Sequence, residues 1–243
     1  MTPAGGGVGN GEADVKLVLW DIDHTLIATR GVGREIFGHC FEQVTGHPMC
    51  EQAAVDGMTE PVIFRETAKL HGITSDRTMF EAFARLSAEQ HQHRAGELRE
   101  RGHALPGTAR VLAAVAALDE VEQTVVTGNI RGAAETKLSV FGLDTHIRFA
   151  IGGYGEDDDE RAELVRIAIR RASHSLNTPL GPQDVLLVGD TPADVAAAKA
   201  NNVPVLAVAT GRSTVTELQK AEADMVAPDL EDPSPIIRAL TGR

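Results

Sequence analysis

The sequence predicts an α/β fold, a Rossmann-like parallel sheet core carrying an inserted helical cap. From Leu105 onward, short apolar runs alternate with helical segments of about ten residues or more, the signature of a parallel sheet covered on both faces. One further apolar run, at 15–20, stands apart from these, separated by a long stretch between Gly33 and Gly102 that carries helical spacing and no strand signal. Finally, several of the apolar runs end on carboxylates or hydroxyls, where a parallel sheet binds its ligands.

Residues 1–13 are Gly-rich, carry acidic side chains and predict a flexible tail with no secretory apolar run. The run V-K-L-V-L-W at 15–20 reads as a buried strand ending at Asp21. A polar stretch at 29–33 leads into helices over 34–44, 60–70 and 77–94, punctuated by Pro48, Gly57, Gly72 and Ser75. Beyond Leu105-Pro106-Gly107 the expectation is helix 108–118, strand 122–126, helix 130–141, strand 148–151 and helix 161–173. Strand 185–188, helix 193–200, strand 205–208, helix 214–221 and a short strand at 225–226 complete it. The division follows: core at 14–30 and 103–243, helical cap at 31–102.

The chain has 243 residues, enough to bury a core without disulfides or structural metal. Its net charge of −12 repels phosphate backbones and anionic lipid, so neither nucleic acid nor a membrane surface is expected as a partner. An anionic substrate would need a locally positive site, which a metal ion could supply. Two cysteines, Cys40 and Cys50, are too few for a disulfide framework and read as reduced thiols of a cytoplasmic protein. The longest apolar run, 111–118, is too short to span a bilayer. Oligomeric state is left open.

The strand ends deliver Asp21-Ile22-Asp23-His24-Thr25-Leu26, then Thr127-Gly128-Asn129, then Gly189-Asp190-Thr191-Pro192-Ala193-Asp194. Residues two apart in extended chain project to one side, about 6.5–7 Å apart, so Asp21 and Asp23 can face one substrate. One carboxylate can attack phosphorus as nucleophile while the other exchanges protons with leaving group and water. Two anions beside a phosphate demand a cation, and Asp190 would help to hold Mg²⁺. Thr127, with amides nearby, would grip phosphoryl oxygens. Each piece has a plainer meaning as well. Thr127-Gly128-Asn129 can be a turn with Asn129 as helix cap, and Thr191 with Asp194 forms a capping-box pattern, so Asp194 is open to a structural or a metal-site role. Asp190 precedes that cap and has no such task.

These three stretches resemble the motifs of haloacid dehalogenase superfamily phosphatases. Leu105-Pro106-Gly107, Ala209-Thr210-Gly211 and Gly57-Met58-Thr59-Glu60-Pro61 are similar to recurrent segments of the phosphoglycolate phosphatase-like branch. The resemblance spans nearly everything from Val15 to Leu230. It implies Asp21 as nucleophile and Mg²⁺ ligand, Asp23 as acid/base and as ligand through its backbone carbonyl, Asp190 as a direct metal contact and Asp194 in support. Thr127 takes the place of the second motif's hydroxyl, with Thr25, Gly128 and Asn129 in supporting positions.

Two departures stand out. His24 replaces the family's usual Gly and reads as a tolerated loop residue. No lysine lies between Gly153 and Asp190, where the third motif normally supplies one. Arg161 is the expected substitute, although it also reads as a surface arginine paired with the acidic run at 156–160. Lys137 is the rival, set aside because it lies about seven residues into its helix, roughly 10 Å from the strand edge. His71, His91 and His93 read as ordinary surface or cap residues, Asp157-Asp158-Asp159 as a solvated loop, and Arg34, Arg65 and Lys69 as surface charges. The expected function is Mg²⁺-dependent hydrolysis of a small phosphoester. The alternatives are a phosphomutase, a dehalogenase, which would have no use for Asp23 and Asp190, and a binding protein that retains the fold without turnover.

Overall fold

The computed structural model describes residues 15–242; the tail expected at 1–13 lies outside the described residues. Strand β1 (Lys16–Trp20) is buried from Leu17 on. Val18 and Trp20 serve the core on one face of the sheet, Leu17 and Leu19 the core on the other, which is why the run is apolar throughout rather than alternating.

A two-residue strand β2 (Ile27–Ala28) precedes four helices, α1 (Val32–Thr45), α2 (Glu60–Leu70), α3 (Arg77–His93) and α4 (Ala95–Arg101). β3 (His103–Ala104) then pairs antiparallel with β2, so the chain enters and leaves the helical segment through one ribbon. Pro61 sits in the first turn of α2, and Asp76 caps α3 by accepting from the Met79 amide at 2.9 Å. Phe37, Phe41, Phe64, Phe80 and Phe83 give this segment a core of its own, with neighbouring rings 4.8–6.2 Å apart.

The chain continues through α5 (Thr108–Ala116), β4 (Val121–Val125), α6 (Arg131–Val140), α7 (Arg161–Leu176), β5 (Val185–Gly189), α8 (Pro192–Ala200), β6 (Val205–Val208), α9 (Val215–Lys220), β7 (Met225–Ala227) and α10 (Ser234–Thr241). Five strands form a parallel sheet in the order β4-β1-β5-β6-β7. Helices α5, α6 and α10 cover one face, α7, α8 and α9 the other. Helix α6 does double duty: Ala134 and Leu138 face the sheet, whereas Ala133 and Val140 belong to the phenylalanine core of the helical segment.

The strand expected at 148–151 is instead a 3-10 turn, Phe149–Ile151, with a single bridge from Val126 to Gly153 beside it. Ile151 and Phe149 do serve opposite faces of the sheet, which is the alternation that mimics a strand. Short i to i+3 bonds, Ile151 N–H to Arg148 O and Gly152 N–H to Phe149 O, both 3.2 Å, coil it nevertheless. Sequence periodicity also passes over α4, α10 and the β2–β3 ribbon, all too short to show a period.

Register decides what meets at the sheet's rim. Trp20 pairs with Val125 on one side and Val188 on the other, and Asp21 N–H donates to Val188 O at 2.9 Å. The three strands therefore end level. β1 lies between β4 and β5, where the chain direction of growth across the sheet reverses, and such a switch point opens a crevice at the strands' carboxyl ends.

Candidate active site

Asp21 follows β1 directly, and Thr127 and Asp190 each lie two residues past the level set by Val125 and Val188, so the three come to one rim. All three are buried. Thr25 ties two of them: its hydroxyl lies 3.3 Å from Asp21 Oδ2 and 3.2 Å from Asp190 Oδ1. Asn129 ties the others, its amide nitrogen 2.7 Å from both Asp23 Oδ2 and Thr127 Oγ1. The structure thus does not use Asn129 as the helix cap. Ile130 takes that position, and the Asn129 side chain turns into the site.

Arg161 opens α7 and reaches across to the first strand. Its Nη2 donates to Asp21 Oδ1 and to Asp194 Oδ1, both at 2.6 Å, with Nε 2.8 Å from the latter. Only 9% of the guanidinium side chain is exposed, so the surface-arginine alternative falls. Burial opposes its charge, but Asp194 and Asp21 outweigh that and hold it firmly protonated. Asp194 is fully engaged: Oδ1 by Arg161, Oδ2 by the Thr191 amide at 3.0 Å and hydroxyl at 2.6 Å. The capping box and the arginine are served by one carboxylate.

Lys137 corrects the expectation that set it aside. Its Nζ lies 2.7 Å from Asp23 Oδ2 and 2.6 Å from Asn129 Oδ1, and the side chain is 6% exposed. Counting rise along the helix measured only the backbone. Helical side chains lean toward the N-terminus, so the lysine reaches back about one turn, where the side chains of Asn129 and Asp23 come to meet it.

The carboxyls differ sharply in proton affinity. Burial pushes Asp21 up to about 7, against the pull of Arg161 and with a further push from Asp194. Burial, then Asp21 and Asp194, raise Asp190 to about 8. Burial also works to raise Asp23, yet Lys137 and Asn129 prevail and hold it below the ordinary carboxylate range. Oxygens of Asp21, Asp190 and Asp194 lie within 4.8 Å of one another. This cluster holds more negative charge than Arg161 offsets, and its donors are all oxygen, which fits a hard divalent cation such as Mg²⁺. Asp21 and Asp190 are the pair free to share it, because the oxygens of Asp194 are already taken.

The helical segment closes over this rim. Gly128 has no room for a side chain: a Cβ there would stand 2.1 Å from Met58 O. Glu60 N–H donates to Gly128 O at 2.8 Å, and Thr59 Oγ1 to Asp159 O at 3.0 Å. Arg65 pairs with Asp159 at 2.6 Å in solvent, so one acid of the run at 157–159 touches the helical segment, while Asp157 chelates Arg171 of α7. His91 lies in α3 of the helical segment, as a cap residue would, and is buried there, whereas Lys69 pairs with Glu66 in solvent. His24 is exposed with φ 64°, a left-handed backbone that glycine adopts at least cost. Glu60 is the site-facing residue that sequence reasoning missed; its only signal was its place in the segment at 57–61.

The profile of the haloacid dehalogenase-like hydrolases matches residues 18–208. The chain belongs to that family. The haloacid dehalogenase-like fold is also shared with solved structures at low identity. A hydrolase from Pseudomonas syringae is 18% identical, with a TM-score of 0.64 over 91% of this chain and 97% of that one. A predicted phosphoglycolate phosphatase from Haemophilus somnus 129pt is 16% identical, with a TM-score of 0.61 over 93% and 100%. A beta-phosphoglucomutase from Clostridium difficile is 13% identical, with a TM-score of 0.65 over 94% and 98%. No curated protein matches the sequence. No helix among the described residues is long and apolar enough to cross a membrane.

Proposed function

We propose that this haloacid dehalogenase-like hydrolase is a Mg²⁺-dependent phosphatase of small phosphomonoesters, working through an aspartyl-phosphate on Asp21 in a closed chamber under the helical cap. The reading rests on the meeting of Asp21, Thr25 and Asp190 within hydrogen-bond reach, beside an Asp23 held in a different electrostatic environment. Pairs of acids whose surroundings drive their proton affinities apart are how one site divides acid/base and nucleophilic roles.

In this reading Arg161 fixes Asp21 through Oδ1, which leaves Oδ2 to attack phosphorus. The bond from phosphorus to the alcohol oxygen breaks as the bond to Asp21 forms, and Asp23 gives its proton to the leaving oxygen. Asp23 begins as a carboxylate; entry of a phosphoryl dianion raises its proton affinity, so it takes up a proton from solvent as substrate binds and enters the step protonated. Asp23 then takes a proton from water, whose oxygen attacks phosphorus and frees Asp21 and inorganic phosphate. Lys137 and Asn129 orient Asp23 throughout, and Thr127 with the Gly128 amide would hold phosphoryl oxygens. Asp21 and Asp190 would hold Mg²⁺, and the chemistry it would supply there is neutralisation of phosphoryl charge. The helical cap excludes water from the chamber. A dehalogenase would leave Asp23 and Asp190 idle. The free thiols of Cys40 and Cys50 suit the cytoplasm.

The test is phosphate release from a panel of phosphomonoesters with and without Mg²⁺. We expect release that depends on the metal; none from any ester would end the proposal.

A further inference from the structure

The helical segment brings polar groups to the side of Lys137 and Asp23, and their chemistry is one-sided. Glu60, in the first turn of α2, docks onto the loop between β4 and α6: its amide donates to Gly128 O at 2.8 Å, and its Oε2 lies 3.4 Å from the Ile130 amide. Burial raises Glu60 to about 7, and the charges that act on it most closely include Lys137 and Asp23. His91 approaches from α3, one turn beyond Ala88, which packs against Gly132 of α6. Its Nδ1 lies 2.8 Å from Ser87 O, a carbonyl that can only accept, so Nδ1 carries the proton. Its Nε2 is buried with no partner among the described residues. Burial and Lys137 hold the ring neutral, its affinity lowered to about 4, so Nε2 presents a bare lone pair. An orphaned buried acceptor costs free energy until a donor reaches it.

Among the described residues, no cap cation is free to balance these acceptors. Arg34, Lys69, Arg77, Arg85 and Arg99 are exposed, Arg65 is spent on Asp159, and Arg94 and Arg101 are spent on Glu35 and Glu97. The two cations of the chamber, Arg161 and Lys137, are already bound to Asp21 and Asp23.

We propose that Glu60 and His91 form an acceptor-lined leaving-group site that selects phosphomonoesters whose alcohol carries hydroxyl or ammonium donors and excludes those bearing a second anion. The inference rests on the phosphatase reading and narrows it. A leaving group with a carboxylate or a second phosphate would lie against Glu60 and Asp23 with no free cation to meet it, and like charges so placed are strongly disfavoured. The same argument sets the chain apart from a phosphomutase, which must hold a bisphosphate.

Three esters of one length separate the outcomes: 2-hydroxyethyl phosphate, phosphoethanolamine and 2-phosphoglycolate, with p-nitrophenyl phosphate as an independent reporter. For the wild-type protein with Mg²⁺ at pH 8, where Glu60 has given up its proton, we expect kcat/KM for the hydroxyl and ammonium esters to exceed that for the carboxylate ester by about tenfold or more. In Glu60→Gln and His91→Gln that ratio should shrink by about threefold or more, and it does not depend on how much of a variant folds. Turnover of p-nitrophenyl phosphate together with equal or better use of 2-phosphoglycolate would overturn this inference and leave the phosphatase reading standing. An unchanged ratio in both variants would overturn it too. Failure of all four esters removes both.

Discussion

Asp21, Asp190 and Arg161 carry the residue-scale consequences. Asp21→Asn keeps the shape and the hydrogen bond to Thr25 but removes the attacking charge, so kcat should fall by about a thousandfold or more with a cooperative unfolding transition retained; near-native turnover would exclude Asp21 as nucleophile. Asp190→Asn should act in two directions. It removes a buried carboxyl raised to about 8, so the metal-free variant should melt above wild type at pH 8, yet it should lose the wild-type rise in Tm on adding Mg²⁺. A variant that melts lower, or that still gains from Mg²⁺, contradicts the shared site. Arg161→Ala strips the partner from two buried carboxylates at 2.6 Å. Breaking such a pair costs about 3–5 kcal/mol, which for this chain length is roughly 10 °C in Tm, along with a large loss of rate. Arg161→Lys should recover less than half of that stability, because an ammonium cannot fork across both acids.

Among the elements, helix α6 is the joint of the molecule. Its start carries the Thr127-Gly128-Asn129 loop, its middle sends Lys137 back to Asp23, and its far side belongs to the phenylalanine core of the cap. Gly128→Ala would drive a methyl group to 2.1 Å from Met58 O, and backbone is slow to yield. The cheapest response is to lift the 57–60 segment off the rim, breaking the Glu60 N–H to Gly128 O bond. We expect kcat/KM to drop by about tenfold or more while the far-ultraviolet circular dichroism stays native; unaltered kinetics would mean the cap does not need this contact. The ion pair between Arg65 and Asp159 joins the same surfaces but is exposed, and Arg65→Ala should change stability by less than about 1 kcal/mol.

For the whole molecule, the raised carboxyls set a pH dependence. Asp21, Asp190 and Glu60 keep protons in the folded, metal-free chain up to about pH 7–8, whereas the unfolded chain releases them near pH 4. Their contribution is fully present at low pH and is lost as pH rises from about 4 through about 8. Asp23, held low by Lys137, contributes in the opposite sense, its stabilisation being lost only as acid protonates it. Metal-free Tm should therefore decline from pH 5 to pH 8, and the gain from Mg²⁺, which binds the deprotonated carboxylates, should be larger at pH 8 than at pH 5. A Tm gain that is the same at both values would count against a metal held by these acids.

Much of the fold was legible because apolar periods and strand-end residues are local properties: the run at 15–20, the strong strand at 185–188 and the alternation after Leu105 need no partner to be seen. The segment at 148–151 was misread for the same reason, since alternating burial looks identical in a strand and in a short turn laid along a sheet edge. Within the site, the acids, the hydroxyls and Arg161 could be read from the sequence, but the directions of Asn129, Lys137, Glu60 and His91 could not. By itself the sequence determined the parallel α/β architecture and which residue types reach the rim, because strand and helix periods are written in consecutive residues. Only the tertiary structure decided that Lys137 serves Asp23 while Arg161 serves Asp21, because strand register and helix packing place side chains more than a hundred residues apart within hydrogen-bond reach.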